Sequence, residues 1–186
     1  PQDDFDFDGE FIKLKKVRAK PKPYGGTRPL IMNAGSSGSG QAFALRNCDA
    51  FFTATSTSRQ GVDATAKLVD GVKSEARAIG REIEVFTVGQ VVCRPTQKEA
   101  EDYYHYAIIE MADWGSVDRM MEIKNITPQT VGEKVYAEKR MYFASRAIGG
   151  YPIVGTPDRV AEELAELSRG GVRGIAFSMV NYLEEL

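Results

Sequence analysis

The sequence has a single histidine, His105, and two cysteines, Cys48 and Cys93, that share no CxxC spacing. A four-ligand zinc site is effectively excluded. Cysteines set in apolar sequence read as buried thiols of a reducing, cytoplasmic compartment, with a disulfide as the weaker alternative. No apolar run reaches the roughly 18 residues that a membrane-spanning helix needs. Charge of one sign is also scarce: the formal net charge is −2, so no field draws the chain to nucleic acid or to an anionic membrane. The basic run Lys13 to Lys22 is short, and reads as a solvated face or a phosphate-neutralising edge. No lysine follows the glycine-rich turn near residue 38, which excludes a Walker loop, and no GxGxxG fingerprint precedes an acidic strand end.

What is present is an ordinary globular composition: 42% hydrophobic and 27% charged residues over 186 positions, enough for one well-cored domain. The chain is organised around Pro29-Leu-Ile-Met-Asn-Ala-Gly-Ser-Ser-Gly-Ser-Gly40. Leu30 to Met32 predicts a short buried strand, the small residues after Asn33 a tight turn, and Gln41 to Cys48 a helix. Small residues let the backbone approach a ligand, and the first turn of a helix carries unpaired N–H groups and the positive end of its dipole. Ser36 to Gly40 is thus a candidate phosphate seat, and equally the start of a serine-capped helix.

Taken in order, Phe5 to Leu14 predicts two short extended segments around a turn at Asp8-Gly9, and Val17 to Tyr24, with Lys-Pro-Lys-Pro, an extended connector. Together with Gly25-Gly26, residues 1–28 form an extended entry segment, and 29–186 the main body. Asp49 to Ala54 predicts a strand buried on both faces. Val62, Ala66, Val69, Val72, Ala76 and Ile79 recur at helical spacing up to Gly80. Ile83 to Cys93 predicts a strand, and Thr96 with Glu99 a capping box opening a helix through Ile108. Helices around Trp114 to Ile123 and after Thr127-Pro128 predict a helical insertion at about 113–150, a candidate substrate-facing lid. Tyr151 to Asp158 reads as a loop with a capping Thr156, Pro157 as the first position of a helix that stops near Gly170-Gly171, and Gly174 to Val180 as the last strand. The four strands starting at Leu30, Ala50, Ile83 and Gly174, joined through helices, predict an α/β chain with a parallel sheet.

Other chemistry is weak on residue grounds. His105 has no companion ligand at metal spacing. The acid pairs Glu99 and Glu101, Glu162 and Glu163, and Glu184 and Glu185 do not share a helix face. Ser37 has no histidine near it in sequence, so hydrolysis has little support. Trp114, Met120 and Met121 read first as packing and second as lining of a substrate slot. Arg28, Thr55 and Ser56 are weaker candidates for ligand contact.

Arg28 to Ala44 continuing through Asn47-Cys-Asp-Ala-Phe-Phe52, together with Val154-Gly-Thr-Pro-Asp-Arg-Val-Ala161 and Gly170-Gly-Val-Arg-Gly-Ile175, resembles the bacterial luciferase-like flavin monooxygenases. Within that superfamily it is most similar to the branch of alkanesulfonate, dimethylsulfone and pyrimidine monooxygenases. Members have about twice this many residues in one (β/α)8 barrel, and the match is to the C-terminal half of this TIM barrel, strands five to eight. The resemblance implies that Ala34, Gly35, Ser36 and Ser37 bind the FMN phosphate and ribityl chain, with Gly38 to Gly40 opening the helix. It also implies that a partner reductase supplies reduced FMN, that O2 adds at flavin C4a, and that the resulting peroxide oxidises a small organosulfur or heterocyclic substrate. Catalytic side chains from the first four strands have no counterpart here. Four βα units leave an open face, so a missing N-terminal half or a second copy is expected to cover it. The alternative is a non-catalytic phosphate-ligand-binding or assembly module that homodimerises.

Overall fold

A computed structural model describes residues 4–18, 20–35, 37–54, 59–146 and 150–185. The chain divides into two units, Pro1–Ile31 and Met32–Leu186. In the first, strands β1 (Phe5–Asp8) and β2 (Lys13–Val17) pair antiparallel, with Asp8 opposite Lys13. Gly9 N–H donates to Ile12 O and closes the turn, so the predicted hairpin forms. A single 3₁₀ turn at Tyr24–Gly26 follows, with positive φ at Gly25 and Gly26. These are conformations that glycine adopts without a Cβ penalty.

The second unit is a parallel sheet flanked by helices, the architecture of part of a (β/α) barrel. Its strands are β3 (Met32–Asn33), β4 (Ala50–Phe52), β5 (Glu84–Cys93), β6 (Tyr151–Gly155) and β7 (Gly174–Met179). Helices α1 (Gly38–Asn47), α2 (Arg59–Ala78), α3 (Gln97–Tyr104) and α7 (Pro157–Arg169) connect them. After α3 come a π-helical segment, His105–Glu110, and an insertion of α4 (Trp114–Ile123), α5 (Pro128–Val131) and α6 (Glu133–Ala144); α8 (Tyr182–Glu185) follows β7. Phe86 pairs with both Phe52 and Gly174, and Gly89 to Val91 with both Tyr151 to Ile153 and Phe177 to Met179. A strand residue has one neighbour on each side, so β7 runs along one edge of β5 while β4 and then β6 share the other. The line β3-β4-β5-β7 follows chain order, as right-handed crossovers dictate.

Two expectations are corrected. Tyr151 to Gly155 is a fifth parallel strand, not part of a loop: β5 is longer than β4, and β6 occupies the edge left free beyond Phe52. Pro152 is tolerated because β6 pairs on one side only, where a missing N–H can face away from the ladder. The Leu30 to Met32 strand is shorter and wetter than its sequence suggests: β3 starts at Met32, and Leu30, Ile31 and Met32 are 57%, 46% and 40% exposed. Met32 sits on the strand that ends the sheet, paired only to β4.

The helix-packed face of the sheet holds the core. Phe51, Val85, Val91 and Ile153 pack with Ala44 and Leu45 of α1, Val69, Val72 and Ala76 of α2, and Val160 and Leu167 of α7. Each buried valine, leucine, isoleucine or phenylalanine among these contributes about 1.5–3 kcal/mol before entropy is counted. Gly89 belongs to this face, since a Cβ there would meet Ile175 and Ile153 at 2.8 and 3.2 Å. Phe86, Val88, Gln90 and Val92 therefore point to the opposite face. Cys48 is buried, Cys93 partly so, and both thiols are free. No helix among the described residues is long and apolar enough to cross a membrane.

Candidate functional site

Asn33 ends β3, and its Oδ1 accepts a hydrogen bond from Gly35 N–H at 2.8 Å, bending the chain at once. Gly35 then passes Gly40 so closely that a Cβ on either would lie 2.8 or 2.9 Å from the other's Cα. Neither position tolerates a side chain without backbone movement. Ser37, extended at φ −76° and ψ 157°, caps α1: its Oγ accepts from Gly40 N–H at 3.1 Å and lies 3.2 Å from Ser39 Oγ. Gln41 N–H is taken by Ser37 O. The amides of Gly38 and Ser39 are left at the open helix start, where no intrahelical acceptor exists.

The far end of α1 is held as well. Arg81 donates from Nη1 to Arg46 O at 2.6 Å and from Nη2 to Cys48 O at 2.9 Å, serving carbonyls that the helix leaves unpaired. Gln41 Nε2 donates to Glu75 of α2 at 2.9 Å. The first turn of α1 carries no acidic residue. An anion at Gly38 and Ser39 therefore meets backbone donors, serine hydroxyls and the helix dipole, while the Glu75 carboxylate that reaches this turn is engaged by Gln41. The structure thus brings Ala34, Gly35, Ser37, Gly38 and Gly40 into one turn; Ser36 lies outside the described residues. Gly35 acts by its shape, since its own N–H is already spent on Asn33. Asn33 was not among the sequence candidates, although an Asn one residue before Ala-Gly at a strand end is the signal of such a side-chain turn.

The insertion has its own small core of Val117, Met121 and Ala144, with Trp114, Ile126, Tyr136 and Phe143 against it. Met121 is fully buried, Trp114 half-buried, and Met120 is 48% exposed. The Arg140 guanidinium lies 4.2 Å above the Trp114 ring and donates from Nη2 to Asp118 Oδ2 at 2.9 Å. Tyr136 donates to the same carboxylate at 3.3 Å. The Arg140 hydrogen bonds hold the Asp118 carboxyl below its usual range. Met120 thus reaches solvent from α4, while Met121 is in the insertion's core, against which Trp114 packs.

His105 is exposed, with Nδ1 3.0 Å from Glu110 Oε1, and no cluster of metal-ligating side chains exists among the described residues. Arg28 donates to Pro29 O at 3.2 Å within the first unit. Thr55 and Ser56 lie outside the described residues.

The sequence profile described as "Luciferase-like monooxygenase" matches residues 1–174. An FMNH2-dependent dimethylsulfone monooxygenase from Pseudomonas putida is 30% identical over 100% of this chain and 51% of its own length. A second, from Pseudomonas fluorescens, is 29% identical over 100% of this chain and 50% of its own. The chain spans about half the length of these curated relatives. Among solved structures, DmoA from Hyphomicrobium sulfonivorans superposes with a TM-score of 0.70 at 24% identity, over 93% of this chain and 42% of that one, a likeness of fold. On the strength of the profile match, together with a strand-turn-helix anchor and a parallel sheet in the expected order, the chain belongs to the luciferase-like monooxygenase family.

Proposed function

We propose that the natural polypeptide carrying this sequence is an FMN-dependent monooxygenase that uses reduced FMN and O2 on a small organosulfur or heterocyclic compound. In this reading residues 32–186 contribute the FMN-phosphate side of the site, and strands outside this chain complete the barrel. The observation that carries it is the start of α1: Gly35 and Gly40 in backbone contact, Ser37 as cap, and the Gly38 and Ser39 amides at a first turn that contains no acidic residue. These residues fit a phosphomonoester. Gly38 and Ser39 N–H and the serine hydroxyls would hold it, and Asn33 and Arg81 would keep the turn and helix in place. Bound reduced FMN supplies the reducing equivalents with which O2 is activated. The chain's own tasks are to seat the phosphate, to carry the ring toward the carboxyl ends of the strands, and to exclude water.

The insertion is the cover in this account. Trp114, fixed under Arg140, and Met120 line the substrate side, with Met121 in the core against which Trp114 packs. The names of the relatives favour a sulfone or a similarly small organosulfur substrate, and a flavin reductase as the supplier of reduced FMN.

Titration of FMN and riboflavin against the natural polypeptide tests the proposal. FMN is expected to bind, and with a flavin reductase and dimethylsulfone, oxygen consumption should be coupled to substrate oxidation. Ser37→Ala should weaken FMN by about tenfold or more, the equivalent of a hydrogen bond to a charged group at about 1.5–3 kcal/mol, and leave riboflavin unchanged. A natural polypeptide that binds no FMN would leave the non-catalytic binding or assembly module standing instead.

A further inference from the structure

The opposite face of the sheet carries one polar side chain with no partner. Gln90 lies on β5 in register with Ser178 of β7 and Pro152 of β6. It points away from the helices, on the side of Phe86 and Gly174, whose mutual contact (a Cβ at Gly174 would lie 2.7 Å from the Phe86 ring) marks that face. Its neighbours there are Val88 and Val92 along the strand, Ser178 directly across on β7 with Ala176 on the diagonal, and Pro152 on β6. Gln90 is 0% exposed, and neither its Nε2 nor its Oε1 has a hydrogen-bond partner.

Burying an unpaired amide among mostly apolar neighbours is costly, and a methionine or leucine would fill the same volume without that cost. Within this chain the Gln90 amide therefore adds no hydrogen bond to the fold. Its place does have chemical sense. Ligands of parallel βα sheets sit at the carboxyl ends of the strands, and Gln90 is three residues from Cys93, the end of β5. It is two strands, about 10 Å, from β3 and its phosphate seat, and nearer the carboxyl ends than Asn33, which is level with Val85. That is too far to share a phosphate with α1, and within reach of a group at the other end of a ribityl chain.

Resting on the FMN reading above, we propose that Gln90 recognises the edge of the flavin ring. A primary amide offers a donor beside an acceptor, and the pyrimidine portion of the isoalloxazine offers a carbonyl acceptor beside an N–H donor. Two hydrogen bonds satisfy both partners at once. A sulfone presents acceptors only and would leave Oε1 unpaired.

The test is Gln90→Met, with Gln90→Leu as a second apolar replacement, in the natural polypeptide. Flavin affinity is read by quenching of flavin fluorescence, and thermal stability is measured without flavin. Gln90→Met should weaken FMN and riboflavin alike, by about tenfold, because the loss is at the ring, while the flavin-free Tm stays level or rises. Ser37→Ala, by contrast, should spare riboflavin. A fall of several degrees in flavin-free Tm in both variants with unchanged flavin affinity would mean that the amide pairs with protein, and overturns the inference. Unchanged flavin affinity with a raised KM for substrate would assign the amide to the substrate and overturns it equally. In either case wild-type binding of FMN leaves the broader proposal intact; wild-type failure to bind FMN defeats that proposal itself.

Discussion

Gly35 shows how a single position can serve a site by having nothing on it. Its N–H is spent on Asn33, so what it offers is space: an added Cβ would lie 2.8 Å from Gly40 Cα and 2.9 Å from Asn33 Oδ1. Backbone cannot yield there as a flexible side chain can. Gly35→Ala is therefore expected to lower stability by about 1–3 kcal/mol, the usual cost of forced overpacking, and to weaken FMN more than riboflavin by tilting the first turn of α1. Denaturant unfolding together with the two titrations checks it; an alanine variant with unchanged midpoint and affinity would show that the turn relaxes freely. Tyr151 is the opposite case. Its ring is buried in the core, its hydroxyl has no partner, and burial pushes its ionisation far above the normal tyrosine range. Its place is in the core cluster, packed with Ile153 and Val91 among others.

Among the elements, the insertion carries the clearest electrostatic dependence. Asp118 joins α4 to α6 through Arg140, and Arg140 in turn covers the sole tryptophan, Trp114. Because Asp118 is held below its ordinary range, chiefly by the Arg140 hydrogen bonds, its contribution to stability is fully present above about pH 4, the unfolded carboxylate value. It is lost as pH falls through the depressed folded value. Both side chains are about one-third exposed, so solvent screens the pair and the effect is modest. Trp114 fluorescence should therefore change on acidification below about pH 4 in the wild type. In Asp118→Asn the neutral-pH spectrum should already resemble the acid one, with a flatter profile. Identical profiles in the two proteins would remove the pair from the control of Trp114.

At the scale of the whole molecule, β3 and β7 end the line of strands, each with a single neighbour among the described residues. Unpaired edges exchange their amides and invite pairing with other chains. In the isolated 186-residue chain, hydrogen exchange at 30–33 and 174–179 should be fast, and the chain should dimerise or aggregate. In the natural polypeptide, with its proposed further strands, both segments should be protected. A monodisperse 186-residue monomer protected at both edges would instead describe a self-sufficient smaller domain.

Much of this organisation is local and can be read along the chain. The helical spacing from Val69 to Ala76, the capping box of Thr96 and Glu99, the start of α5 at Thr127-Pro128 and the strand-turn-helix at Asn33 to Gly40 all rest on neighbours a few residues apart. The family resemblance rests on the last of these, within Arg28 to Phe52, and on Val154 to Ala161 and Gly170 to Ile175. Tertiary structure decided the rest. Tyr151 to Gly155 becomes a strand, Pro152 included, because β5 outruns β4 and offers a free edge a long way back in sequence. The Met32 side chain is part-exposed because its strand has a neighbour on one side only. Gln90 sits inside an apolar-looking strand, and only the register of β5 against β6 and β7 reveals that its amide is buried, unpaired and turned away from the helices. Local patterns report how a segment bonds to itself; edges, faces and unpaired groups depend on which distant segments arrive beside it, and no short window of sequence contains that information.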